Sequence, residues 1–137
     1  MKDGEIKWID LPETVRNDIA ENVYEDSEYL KGWNYWTWLN YLNGEDFTLT
    51  LKRLPVKLLM DNLKHYHSKK VLADYTRLVK SGVEMDPIIV NGGKFYDGGH
   101  RLKAYAAAGK ETIPTIDISK LLSVNWEKFM DGQEDIP

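Results

Sequence analysis

The chain has 137 residues, 42% hydrophobic and 29% charged, with a formal net charge of −4 and no cysteine. That length can bury a core without a metal or a disulfide, and the missing thiol excludes disulfides, Cys-ligated zinc and thiolate catalysis. The acidic balance disfavours a protein that coats nucleic acid, which needs many Lys and Arg to neutralise phosphates; with no apolar run of membrane-spanning length and no secretory signal pattern, a cytoplasmic location without a membrane partner is expected.

Asp10 followed three residues later by Glu13 makes a capping-box pattern, and Pro12 fits a first turn, so a helix is predicted over 10–23. Val15, Ile19 and Val23 form its buried stripe. A second helix is predicted over 28–43, closed by Gly44, and it crowds Tyr29, Trp33, Tyr35, Trp36, Trp38 and Tyr41 together. So many aromatics can form a platform for stacking bases, but such platforms interleave Arg and Lys, and Lys31 is the one cation nearby. The preferred reading is core plus an exposed remainder, with Trp33, Trp36 and Trp38 docking on a protein partner or in self-association.

Apolar and polar residues alternate from Phe47 to Leu51, as in a strand, and Pro55 ends it and opens a short helical turn. The segment KKVLADYTRLVKSG then sets Val71, Leu72, Tyr75, Leu78 and Val79 on one helical face and stops at Gly82. PIIV is a buried strand, NGG a tight turn, KFY the returning strand, HRLKAYAAAG a helix ending on Gly109, and TIPTIDI another strand. SKLLSVNWEKFM is predicted as a final helix and DGQEDIP as an untethered tail. The order predicts an α+β (mixed α/β) domain with a short mixed sheet. It divides into an aromatic-rich helical extension, 1–45, packed on a core, 46–131, with a flexible tail, 132–137.

The residues that look costly to keep for folding alone are DGGHR, 97–101. They join a strand to a helix, so the glycines fall at a helix N-terminus, where free N–H groups and the positive end of the helix dipole favour an anion. Glycine permits close approach of a phosphate, and His100 and Arg101 in the first turn add donors. Asp97 stands open to several roles: helix cap, partner of Arg101, metal ligand or general base.

The stretch DPIIVNGGKFYDGGHRLKAYAAAGKETIPTIDI, 86–118, resembles the core of the ParB/sulfiredoxin-like superfamily. The shared order is a PIxV strand, a short hairpin, a glycine turn ending in Arg, an Ala-rich helix, a Gly, and IP before the last strand. The likeness extends less specifically back to Phe47 through LTLKRLPVKLL, covering about half of the chain and leaving 1–45 unexplained. The family includes CTP-binding chromosome-partition proteins, ATP-using sulfiredoxins, small-molecule and amino-acid kinases, and proteins described as nucleases. The resemblance implies a nucleotide-phosphate cradle of Gly98, Gly99, His100 and Arg101 flanked by Asp97, with a nucleoside triphosphate, ATP or CTP, as ligand. Two departures matter. The sulfiredoxin cysteine is missing, which excludes sulfinic acid reduction. Leu102 replaces a second Arg, and too little chain follows Ile118 for a helix-turn-helix domain, which argues against centromere binding.

A stand-alone nucleotide site remains. The first expectation is an NTP-dependent phosphotransferase or nucleoside triphosphatase, with Asp97, His100 and Asp61 as catalytic groups, Lys52 and Arg53 closing over the phosphates, and Mg²⁺ bridging them. His65 and His67 stand two apart in HYH as metal-ligand candidates without a clear third ligand. The alternative is a nucleotide-sensing or protein-interaction module without turnover. A DNA-binding or nuclease-type protein is a further alternative, resisted by the acidic charge.

Overall fold

A computed structural model describes residues 3–61, 63, 68–132 and 134–137. The elements follow in the order β1 (Gly4–Lys7), α1 (Glu13–Asp26), α2 (Tyr35–Asn43), β2 (Thr48–Pro55), α3 (Val56–Met60), α4 (Lys69–Lys80), β3 (Ile88–Asn91), β4 (Lys94–Asp97), α5 (Gly99–Ala107), β5 (Thr112–Asp117), α6 (Ser119–Leu122) and α7 (Trp126–Met130). This is the α+β class read from the sequence. The strands form one mixed sheet in the order β1-β2-β5-β3-β4.

The part of the sheet that matters for function is β5-β3-β4. β3 runs antiparallel to β4 across the NGG turn, where Gly92 and Gly93 take φ of +60° and +83°, the mirror-image backbone that a two-residue hairpin requires. The Gly92 N–H donates to the Asp117 carboxylate at 3.1 Å, tying that turn to the end of β5. The register slips between Ile89 and Val90, so Asp97 stands opposite Ile89. β3 and β5 are parallel, with Ile88 opposite Thr115, and α5 lies on the connection that returns the chain to the sheet. Pro114 precedes the first β3 partner, so its missing N–H costs that ladder nothing.

Two compact units divide the chain, one built on Leu51–Asp117 and the other on Glu5–Thr50 with Ile118–Pro137. The boundaries 1–45 and 46–131 drawn from composition run differently, because residues 118–137 cluster with the N-terminal helices.

In the first unit Val56, Leu59, Val79, Ile88, Val90, Leu102, Tyr105 and Ile113 form the buried core. On α4 the packed stripe is Leu72, Tyr75 and Val79, at spacings of three and four. Leu78, assigned to the same face from the sequence, is instead 43% exposed, since it lies one residue off that stripe. Ser68 caps α4 by accepting from the Val71 N–H.

In the second unit Val15, Ile19 and Val23 are buried as the spacing of α1 predicts. The capping box does not form. Asp10 ends a separate 3-10 turn, Trp8–Asp10, and Pro12 takes the N-cap position of α1. The cause is Trp8, fully buried, stacked on Phe47 at 5.4 Å and donating from Nε1 to Asn43 at 2.7 Å. The helix predicted over 28–43 also breaks, into a 3-10 turn at Leu30–Gly32 and then α2. Asn34 caps α2 through its side-chain oxygen, which accepts from the N–H groups of Trp36 and Thr37.

The last predicted helix splits into α6 and α7, with Asn125 capping the second. The tail is not untethered: Ile136 is buried and Glu134 lies 3.7 Å from the Lys128 ammonium. β1, too short and exposed to leave a periodic signal, was missed from the sequence. Its Glu5 accepts from the Thr48 and Thr50 hydroxyls, which hold the Glu5 carboxyl below the usual carboxylate range. No helix of the described residues is long and apolar enough to cross a membrane.

Candidate functional site

β4 delivers the chain to the turn. Gly98 follows Asp97 with φ +110° and occupies the N-cap position of α5. A Cβ at Gly98 would lie 2.8 Å from Ile88 Cγ2, 2.9 Å from Ile88 Cβ and 3.0 Å from Arg101 Nη2. Both the backbone angle and the packing therefore demand glycine here. Gly99 opens the helix, whose first backbone bond runs from the Leu102 N–H to the Gly98 carbonyl at 3.0 Å. Gly99, His100 and Arg101 thus form the first turn of α5, at the positive end of its dipole.

Arg101 behaves differently from a free anion donor. Its Nη1 donates to the carbonyls of Asp86, at 3.2 Å, and Pro87, at 3.0 Å. These belong to the strap joining α4 to β3, and two more side chains hold the same strap. The Tyr105 hydroxyl accepts from the Met85 N–H at 3.2 Å. Arg53 donates to Glu84 at 2.7 Å and also to the Thr112 hydroxyl at 3.0 Å. The Arg53 hydrogen bond holds the Glu84 carboxyl below the ordinary glutamate range. Arg53 is accordingly a brace of the strap, and no contact among the described residues places it over the glycine turn.

His100 packs edge-on against Tyr75 of α4, ring centres 6.2 Å apart, and its Nε2 is shut off from solvent. That nitrogen is not offered to a ligand arriving from water. Asp97 is half-buried at the end of β4, one residue before the N-cap position that Gly98 holds. Asp61 terminates α3 and is exposed, and Lys52 is exposed on β2, its carbonyl accepting from the Thr115 hydroxyl at 2.6 Å. No contact among the described residues brings Asp61 or Lys52 to the turn. His65 and His67 lie outside the described residues, and among those described no three His, Asp or Glu side chains gather as metal ligands.

Trp38 is fully buried, edge-on to Trp126 at 5.6 Å, and so cannot serve as a docking residue as the sequence suggested. Trp33 is half-buried and Trp36 is 66% exposed. The sequence reading missed Glu84 and Tyr105. Tyr105 had a signal, since it follows Arg101 by four residues and shares its helix face, whereas Glu84 had none. Tyr96 was missed as well; its hydroxyl is buried and has no hydrogen-bond partner among the described residues.

Neither the protein-family models, nor the curated proteins, nor the solved structures gave a match to this chain. The functional reading therefore rests on the geometry of the turn.

Proposed function

We propose that the protein binds a nucleotide through its phosphates at the β4–α5 turn and acts as a binding module of the ParB/sulfiredoxin-like kind. The observation that carries this reading is Gly98, a left-handed residue pressed against Ile88 that starts α5 and sets the positive end of the helix at the turn. Phosphoryl transfer needs cations that neutralise the charge developing on the transferred group. Here Arg101 is engaged by two backbone carbonyls and Arg53 by Glu84 and Thr112, which favours binding over turnover.

The test is a titration with ATP, CTP, GTP and their diphosphates, with and without Mg²⁺, followed through the backbone amide resonances of Gly99, His100 and Arg101. A thermal-unfolding series and a phosphate-release assay run alongside. Nucleotides are expected to shift those amides and raise the melting temperature while releasing no phosphate. Unmoved amides at saturating nucleotide would remove the phosphate site. Phosphate release that depends on Asp97 or Asp61 would replace the binding module with a triphosphatase or phosphotransferase.

A further inference from the structure

We propose a second binding site, an aromatic and acidic cleft between α1 and α2 that takes the ammonium group of a small organic cation. Asn17, Glu21, Tyr24 and Glu25 of α1 and Tyr35 and Trp36 of α2 line a cavity of about 370 Å³, a size that suits a small ligand. The four α1 residues fall at steps of four, three and one, so one face of the helix forms a wall. Among the described residues the lining holds two carboxylates and no cation.

Three features point to a cation. Glu21 and Glu25, four residues apart on one face, repel each other, and a positive charge between them relieves that cost. Tyr35 stands edge-on to Tyr24, at 5.3 Å and 85°, and to Trp36, at 5.1 Å and 77°, so the rings form angled walls rather than a stack. Ring faces attract an alkylammonium through their quadrupole, most strongly for Trp. Finally, Trp36 leaves 66% of its surface in water, an exposure that a ligand would reduce. The Tyr24 hydroxyl donates to the Trp33 carbonyl at 2.7 Å, which fixes one wall before any ligand arrives.

The full chain is titrated with choline and with tetramethylammonium, and binding is followed on the indole N–H resonance of Trp36, identified by its loss in Trp36→Phe. 3,3-Dimethylbutanol, which keeps the shape of choline without its charge, is the control. Both cations are expected to shift the Trp36 signal, and the neutral alcohol to bind about tenfold more weakly. Trp36→Ala, at an exposed position and followed on the backbone amides of Glu21 and Glu25 because the indole reporter is gone, keeps its melting temperature and loses about tenfold in affinity, and Glu21→Gln with Glu25→Gln loses affinity several-fold. The proposal fails if neither cation moves Trp36, if the neutral alcohol binds as well as choline, or if Trp36→Ala leaves the affinity unchanged.

Discussion

The Arg101 guanidinium grips the Pro87 carbonyl at 3.0 Å, and from the same nitrogen the Asp86 carbonyl at 3.2 Å. A residue whose position suits an anion donor thereby carries the entry to β3. The two roles are compatible, because the helix N–H groups, rather than the guanidinium, present the positive charge at the turn.

Arg101→Ala removes the donor from two carbonyls and is expected to cost about 1–3 kcal/mol of stability. Urea unfolding measures the loss, and amide exchange at Ile88 and Ile89 reports loosening of the strap. An unchanged midpoint together with unchanged exchange would show that the brace carries no weight.

Gly98→Ala places a methyl group against Ile88 in a left-handed backbone, and is expected to cost more than about 2 kcal/mol. Gly99→Ala lies at the first position of α5 and is expected to change stability by less than about 1 kcal/mol. Equal losses in the two variants, read by thermal unfolding, would contradict the packing at Gly98.

Trp38→Ala empties a fully buried site beside Trp126 and is expected to cost about 3–5 kcal/mol. Trp36→Ala, two residues away, is expected to stay within about 0.5 kcal/mol of the parent. Denaturant midpoints for the pair decide which Trp belongs to the core.

Glu84 titrates lower in the folded chain than in the unfolded one, chiefly through its hydrogen bond from Arg53. The unfolded chain therefore takes up the proton first on acidification. The contribution is present above the ordinary glutamate range and is lost as pH falls through the folded value. Because both partners are well exposed, at 39% and 46%, the effect is at most about 1 kcal/mol. Glu84→Gln is expected to flatten the acid limb of stability against pH, and an unaltered limb would remove the pair from the account.

Much of the framework was legible in residue spacing. The four-residue stripe of α1, the PIIV and KFY strands around their glycine turn, and the Ala-rich helix closed by Gly109 all formed where periodicity and punctuation put them. Boundaries failed where a distant partner outweighed a local signal. Asp10 and Glu13 match a capping box, yet burial of Trp8 against Phe47 and Asn43 draws Asp10 into its own turn.

At the candidate sites the sequence by itself determined residue type and local backbone: a glycine at the helix start, a cation in its first turn, aromatics crowded on α2. Tertiary structure alone decided what each side chain touches. Trp36 and Trp38 lie about 200° apart around a helix, so their spacing requires that only one can face a packed surface. Their positions relative to Trp126, far along the chain, decide that it is Trp38. Arg101 meets carbonyls that lie 14 and 15 residues before it, a pairing that exists only once β3 and β4 have brought the strap beside α5. Backbone preference is a property of neighbours in sequence, whereas the partner of a charge or a ring is set by which segments the folded core brings together.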